Sequence, residues 1–208
     1  MSTQGIVHVV DDDPAIRKAL TASLEVRDIE VENYESAEEF LNSYQDNQIG
    51  CLVLDIRMPG INGLELQKIL AEKSHNIPII FVTGHGDVPM SVQALKNGAI
   101  DFLEKPYRQE VLQERIEQAL AQSKIIRQNT AAEDSCNERF NRLSPREKQV
   151  MAMLITDHAN ASNKKIAEAL NISPRTVEDH RAKIMLKMQV NPLHELIIMT
   201  NKCKLCTT

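Results

Sequence analysis

The sequence predicts an α/β domain with a doubly wound, five-stranded parallel sheet, followed by a small all-α domain. Three observations carry this. Five short apolar runs alternate with helical patterns over the first 124 residues. From residue 143 the patterning is wholly helical. Residues 1–124 carry eleven Lys and Arg against twenty Asp and Glu, whereas residues 125–208 carry thirteen against nine, so an acidic module precedes a basic one. Short apolar strands separated by helices imply a parallel sheet covered on both faces. Right-handed crossovers then wind it in both directions.

The elements follow in order. Residues 6–10 read as a buried strand, and Asp13-Pro14 supplies an N-cap and first-turn proline for a helix to about residue 26. Residues 29–33 are a second strand. Ser36, with Glu39 three residues on, opens a helix over 36–44. Strands at 51–54, 78–82 and 100–103 alternate with helices at 63–73 and 88–97, the latter stopped by Gly98. A helix from about residue 108 to 125 places Leu112, Ile116, Ala119, Leu120 and Ser123 on one stripe. Residues 127–142 are polar without clear period and read as a linker. The expected division is therefore 1–124, a linker over 125–142, and 143–208. In the last segment Ser144-Pro145-Arg146-Glu147 opens a helix to about residue 156. Helices follow at 163–170, 174–188 and 193–201.

With 208 residues, 42% hydrophobic and 25% charged, the chain can fill two small cores. No apolar run reaches the ~20 residues of a transmembrane helix. The first residues carry no basic, then apolar, leader. These features lead us to expect a cytoplasmic protein without a membrane partner. Four cysteines agree with a reducing compartment. Cys51 opens an apolar run and reads as a core thiol, and Cys136 sits in a polar stretch. Cys203 and Cys206 form a C-x-x-C without the other two ligands of a structural zinc site, and are expected to be inert.

Doubly wound folds place their sites at the carboxyl ends of the strands. Strand one ends in Asp11, Asp12 and Asp13, strand three in Asp55 and strand four in Thr83, and strand five is followed by Lys105-Pro106. Taken singly, each acid is explained by capping or solvation, and Asp13 is such a cap. Together they converge on one edge. Clustered carboxylates need a cation, and hard oxygen ligands with an open coordination sphere suit Mg2+. An aspartate can also attack phosphorus to give an acyl phosphate, with Mg2+ and Lys105 neutralising the transferring group and Thr83 giving a hydrogen bond.

The segments Val9-Val10-Asp11-Asp12-Asp13, Asp55-Ile56-Arg57-Met58-Pro59-Gly60, Thr83-Gly84-His85 and Lys105-Pro106 resemble the motifs of two-component receiver domains, over about residues 5–124. The resemblance implies a flavodoxin-like receiver with Asp55 as phosphoacceptor. It implies Asp11, Asp12, Asp55 and the Arg57 backbone carbonyl as Mg2+ ligands, Lys105 as the phosphoryl contact, and a cis Lys105-Pro106 bond. Thr83 and Phe102 would be the switch pair, with Phe102 standing where a tyrosine is common. Their movement would remodel the face of helix four, strand five and helix five.

In the last segment, a helix, a tight Asn171-Ile172-Ser173 turn and a longer basic helix match a helix-turn-helix. Val177, Ile184 and Met188 form the apolar stripe of the longer helix, so Glu178, Asp179, Ala182 and Lys183 face away from the core. A solvated basic face is the plain alternative. Leu143-Ser144-Pro145-Arg146-Glu147, Asn163-Lys164-Lys165-Ile166-Ala167 and Ile172-Ser173-Pro174-Arg175-Thr176-Val177-Glu178, with His180-Arg181, resemble LuxR-type DNA-binding domains. The whole chain thus resembles a FixJ-type response regulator. Lys164, Arg175, Thr176, Arg181, Lys183 and Lys187 are expected to hold the DNA backbone, with Asp179, Ala182 and Lys183 nearest the bases. The last helix would mediate dimerisation. Two features depart from the family: residues 156–162 are longer and lack its glycine, and Glu178 and Asp179 put acids on the reading face.

The expected function is a transcription factor, activating by family analogy, whose dimerisation and promoter binding follow phosphorylation of Asp55 by a sensor histidine kinase, with RNA polymerase as a further partner. Only slow self-phosphorylation and dephosphorylation would be catalysed. Two alternatives stand beside it. One is an aspartyl-nucleophile phosphatase, for which no cap domain is evident. The other is a receiver whose C-terminal bundle binds only protein.

Overall fold

The structure is a computed structural model that describes residues 5–46, 48–84, 88–156 and 162–203. The chain divides into two compact units, Met1–Arg127 and Gln128–Thr208.

The first unit alternates β1 (Ile6–Val10), α1 (Pro14–Glu25), β2 (Glu30–Tyr34), α2 (Ala37–Ser43), β3 (Gly50–Leu54), α3 (Gly63–Glu72), β4 (Ile79–Thr83), α4 (Val88–Lys96), β5 (Asp101–Glu104) and α5 (Gln109–Asn141). The strands order as β2-β1-β3-β4-β5, every pair parallel. This is the flavodoxin-like doubly wound sheet, whose order reverses between β1 and β3. Strand alternation separates two cores. Val7, Val9, Cys51, Val53, Ile80 and Val82 pack with Leu20 and Leu24 of α1 and Leu112, Ile116 and Ala119 of α5. Val10, Leu52, Leu54, Ile79 and Phe81 pack with Ala37 and Phe40 of α2, Leu66 and Leu70 of α3, and Ala94 of α4. Ser123, on the otherwise apolar stripe of α5, is buried because its hydroxyl accepts a hydrogen bond from Gly50 N at 3.0 Å.

Strands β2, β4 and β5 each sit one residue later than their apolar runs. The ladder extends to the polar residues Thr83 and Glu104, which are register partners. Asp13 caps α1 by accepting from Ala15 N, and Ser36 caps α2 by accepting from Glu39 N.

The expected linker over 125–142 is helical through Asn141, as a continuation of α5. The stretch has no glycine or proline to break the helix, and Gln, Ala, Glu and Arg favour it. Ala132, Cys136 and Phe140 repeat at i, i+4, i+8, a sparse period among polar neighbours. Cys136 is buried in the second unit's core and Phe140 packs against it.

That second unit also holds α6 (Pro145–Thr156), α7 (Asn163–Leu170), α8 (Pro174–Met188) and α9 (Leu193–Lys202). Val150, Met151, Leu154, Ile166, Val177, Ile184, Met188 and Leu196 form its core. Asn171 closes α7 in the left-handed conformation at φ 51°. Arg146 of α6 donates to the Leu170 carbonyl at that same helix end. Among the described residues, no helix is long and apolar enough to cross a membrane.

Candidate functional site

The parallel register delivers the acidic edge. Val10 pairs with Leu54, so Asp11 and Asp55 leave adjacent strands side by side, and Asp55 N donates to Val10 O at 2.9 Å. Thr83 pairs with Glu104, and Lys105 N donates to Thr83 O at 2.8 Å. Four strand ends therefore meet.

Asp11 is buried. Its Oδ1 accepts from Asp13 N at 2.9 Å and its Oδ2 from Lys105 Nζ at 2.7 Å. Asp12 is exposed beside it. One carboxylate oxygen from each of Asp11, Asp12 and Asp55 lies within 4.8 Å of the others. Asp55 is half-buried, and accepts from Ile56 N at 2.8 Å and from the Thr83 hydroxyl. Burial pushes the Asp55 carboxyl up. Lys105 opposes this, Asp11 adds to it, and the Thr83 and Ile56 hydrogen bonds oppose it, leaving the group above its ordinary value.

Backbone packing also shapes this edge. A Cβ on Gly63, the first residue of α3, would stand 2.3 Å from Asp55 O and 3.0 Å from Ile56 Cα. Only glycine lets α3 approach the loop after β3 this closely. Arg57 lies in that loop with its side chain exposed. The Lys105-Pro106 bond is cis. Thr83 is buried, and Phe102 is half-buried against the core under α2, α3 and α4. His85 lies outside the described residues.

Chemically, three carboxylates, one ammonium and one hydroxyl surround a common point. Lys105 is already paired with Asp11, so the cluster carries excess negative charge. Its oxygen-only donors suit a hard divalent cation that retains waters and recruits phosphate oxygens. The residues present thus fit Mg2+.

In the second unit, α8 opens on Ser173, which accepts from Thr176 N at 3.0 Å and shares a 2.8 Å hydrogen bond with the Thr176 hydroxyl. Val177, Ile184 and Met188 are buried, whereas Arg175, Glu178, Asp179, Ala182 and Lys183 are exposed. Lys164 is exposed in the first turn of α7. Arg181 donates from Nη1 to Asn163 Oδ1 at 2.7 Å, which engages part of its five-donor fork.

Lys187, expected among the DNA contacts, has a partner within its own domain. Its ammonium lies 2.7 Å from Glu147 Oε2 of α6, and the Glu147 side chain is 5% exposed. A buried carboxylate needs that cation, so the Lys187 ammonium, on a side chain 36% exposed, is engaged within its own domain. Sequence reasoning caught Glu147 as a local cap but missed this partner 40 residues away. Residues 157–161 of the atypical loop before α7 lie outside the described residues.

A parallel sheet with an acidic edge, followed by a helix-turn-helix unit, defines a regulator that couples phosphoryl chemistry to DNA. Comparison with known proteins agrees. Residues 7–117 match the response regulator receiver domain family, and residues 141–200 match the bacterial regulatory proteins of the luxR family. The transcriptional regulatory protein FixJ of Bradyrhizobium diazoefficiens is 44% identical over 197 residues, covering 95% of each chain. The response regulator protein TodT of Pseudomonas putida is 40% identical over 199 residues, covering 96% of this chain and 86% of that one. Among solved structures, the response regulator StyR superposes with a TM-score of 0.83 at 42% identity, covering 96% of this chain and 99% of that one. The chain belongs to the two-component response regulators of the FixJ type, with a receiver domain joined to a LuxR-type DNA-binding domain. It is a transcription regulator, and its two domains imply a kinase and DNA as partners.

Proposed function

We propose that a sensor histidine kinase phosphorylates Asp55, and that this controls dimerisation and promoter binding in the cytoplasm. The observation that carries the proposal is the convergence of Asp11, Asp12 and Asp55 within 4.8 Å, with Lys105 and Thr83 hydrogen-bonded into the same group.

An Asp55 oxygen attacks the phosphorus of a phosphohistidine. The O–P bond forms as the P–N bond breaks, and the imidazole leaves. Asp11, Asp12, Asp55 and the Arg57 backbone carbonyl would hold Mg2+, which when bound neutralises charge on the phosphoryl oxygens. Lys105 turns from Asp11 toward those oxygens. Thr83 exchanges its bond to the carboxylate for one to the phosphoryl group, and Phe102 turns into the space released. Slow self-phosphorylation by small donors, and slow self-dephosphorylation, follow from the same geometry.

On DNA, Lys164, Arg175, Thr176, Arg181 and Lys183 hold the backbone, with Asp179, Ala182 and Lys183 nearest the bases. A dimer joined through α9 reads a two-fold related site and activates RNA polymerase there. A second reading, in which the helical unit binds only protein, draws on Glu178 and Asp179, both exposed beside Lys183.

The test compares the wild type with Asp55→Asn, each with and without acetyl phosphate and Mg2+, by intact mass and by promoter binding. The wild type is expected to gain a phosphoryl group and bind more tightly, and the variant to do neither. An equal response from Asp55→Asn refutes the assignment. Absence of salt-dependent binding to promoter DNA, phosphorylated or not, favours the second reading.

A further inference from the structure

The second unit contains a thiol pair that the proposed function leaves unused. Cys136 lies toward the end of α5, and Cys203 is the C-cap residue of α9. Both belong to one core, where Cys136 is 2% exposed and Cys203 is half-buried. Cys203 is the neighbouring group that acts on the Cys136 thiol. Both line a cavity of about 530 Å3, together with Ala132, Glu133, Arg139 and Met199. In the sequence Cys203 belongs to a C-x-x-C with Cys206, and the fold places it in the same core and cavity lining as Cys136, far away along the chain.

We propose that Cys136 and Cys203 form a reversible oxidation site, at which a peroxide converts the two thiols into a disulfide that ties α9 to α5. The more exposed Cys203 reacts first. Its sulfur takes the terminal oxygen of hydrogen peroxide: the S–O bond forms, the O–O bond breaks, and water leaves. The Cys136 sulfur then attacks the Cys203 sulfur, the S–S bond forms as the S–O bond breaks, and a second water carries off the oxygen. Two thiols thereby lose two protons and two electrons, and one peroxide becomes two waters.

The environments assign these roles. Burial, and then the Cys203 neighbour, push the Cys136 thiol up to about 12, so it remains protonated at neutral pH and is a poor first target for the oxidant. Its reactivity toward the Cys203 sulfenic acid comes from proximity rather than ionisation. A disulfide formed this way is transient and reducible, as befits a reducing compartment.

The experiment treats the full-length chain with near-stoichiometric hydrogen peroxide and reads intact mass and a non-reducing peptide map. The wild type and Cys206→Ser are both expected to lose about 2 Da, reversibly with dithiothreitol, with Cys136 joined to Cys203 in the map. Cys136→Ser is expected instead to stop at a Cys203 sulfenic acid that dimedone traps, and Cys203→Ser to form no internal disulfide. The proposal is overturned if the wild type keeps its mass, if Cys203 pairs with Cys206, or if Cys203→Ser still closes a disulfide on Cys136.

Discussion

Replacing Lys187 with methionine separates a lysine that holds the domain together from one that holds DNA. Its ammonium and the Ser144 N–H each lie 2.7 Å from the same oxygen of Glu147. Burial pushes the Glu147 carboxyl up, but the hydrogen bonds from Lys187 and Ser144 and the Lys187 charge outweigh it, and the group lies below the usual carboxylate value. Lys187→Met leaves that buried carboxylate with Ser144 alone. Breaking a fully buried pair costs about 3–5 kcal/mol. The Lys187 side chain is 36% exposed, so solvent screens part of the loss; about 2 kcal/mol is expected. Far-UV circular dichroism in urea reads it, since the chain has no tryptophan. The transition of the C-terminal unit should fall by about 1.5 M urea.

The sign of the pH dependence is a second check. A carboxyl whose folded value is depressed contributes stability above its unfolded value, and that contribution fades as pH falls through the folded one. Without Lys187, only the Ser144 hydrogen bonds still oppose the effect of burial on the Glu147 carboxyl. The gap between wild type and Lys187→Met should therefore close as pH drops below the usual carboxylate range. Adding Glu147→Gln should recover part of the loss. Under conditions where the variant stays folded, the salt dependence of DNA binding should match the wild type, whereas a lost phosphate contact lowers the slope by about one. Superimposable urea curves together with a lower salt slope would return Lys187 to the DNA surface.

Other substitutions probe the remaining joints. Gly63→Ala forces the Asp55 backbone aside and should cost the receiver about 2 kcal/mol, with slower phosphorylation by acetyl phosphate; wild-type values for both would refute the close approach. Thr83→Ala should accept the phosphoryl group but lose phosphorylation-dependent dimerisation, read by light scattering after chromatography. Arg175→Ala with Lys183→Ala should lower the salt slope of promoter binding by about two without changing the urea curves. Burial alone pushes the Cys51 thiol up to about 12, so at pH 8 iodoacetamide should label it only after unfolding, as mapped by mass spectrometry.

Local pattern explains which parts were legible. The apolar runs reach the sheet because period-two burial on both faces needs them, and caps such as Asp13-Pro14 and Ser36 with Glu39 satisfy backbone donors within four residues. The acidic edge was legible because parallel topology sends every strand's carboxyl end to one side, so Asp11, Asp55, Thr83 and Lys105 follow from strand ends alone. The continuation of α5 was hidden because helix persists wherever nothing breaks it, even with a sparse apolar period such as Ala132, Cys136 and Phe140. The Lys187–Glu147 and Cys136–Cys203 pairs were hidden for a different reason. Each joins helices whose mutual packing no local period specifies, and a basic residue on a helix next to DNA has the same letter whether it faces phosphate or a buried carboxylate.

The electrostatics of the acidic edge explain why a single added phosphoryl group could act as a switch there. Lys105 serves Asp11 at 2.7 Å, and Asp55 depends on Thr83 and Ile56 for its hydrogen bonds. Among the described residues the cation that favours the Asp55 carboxylate is Lys105, which is hydrogen-bonded to Asp11, and burial, with Asp11, holds the Asp55 carboxyl above the ordinary value. A phosphoryl group on Asp55 would bring more negative charge and three strong acceptor oxygens to the same few donors. Lys105 and Thr83 could serve those oxygens only by loosening Asp11 and vacating the space beside Phe102. Because both side chains sit on or just beyond adjacent β4 and β5, one competition for donors would move two elements in concert. The competition is for the side-chain donors Lys105 and Thr83, so supplying a further ammonium beside Asp55 should blunt the switch. A chain carrying Thr83→Lys should fold, raise the charge at the edge by one, and show weaker phosphorylation-dependent dimerisation than Thr83→Ser, which keeps the hydroxyl. Equal dimerisation by the two variants would show that steric room near Phe102, and not competition for donors, sets the response.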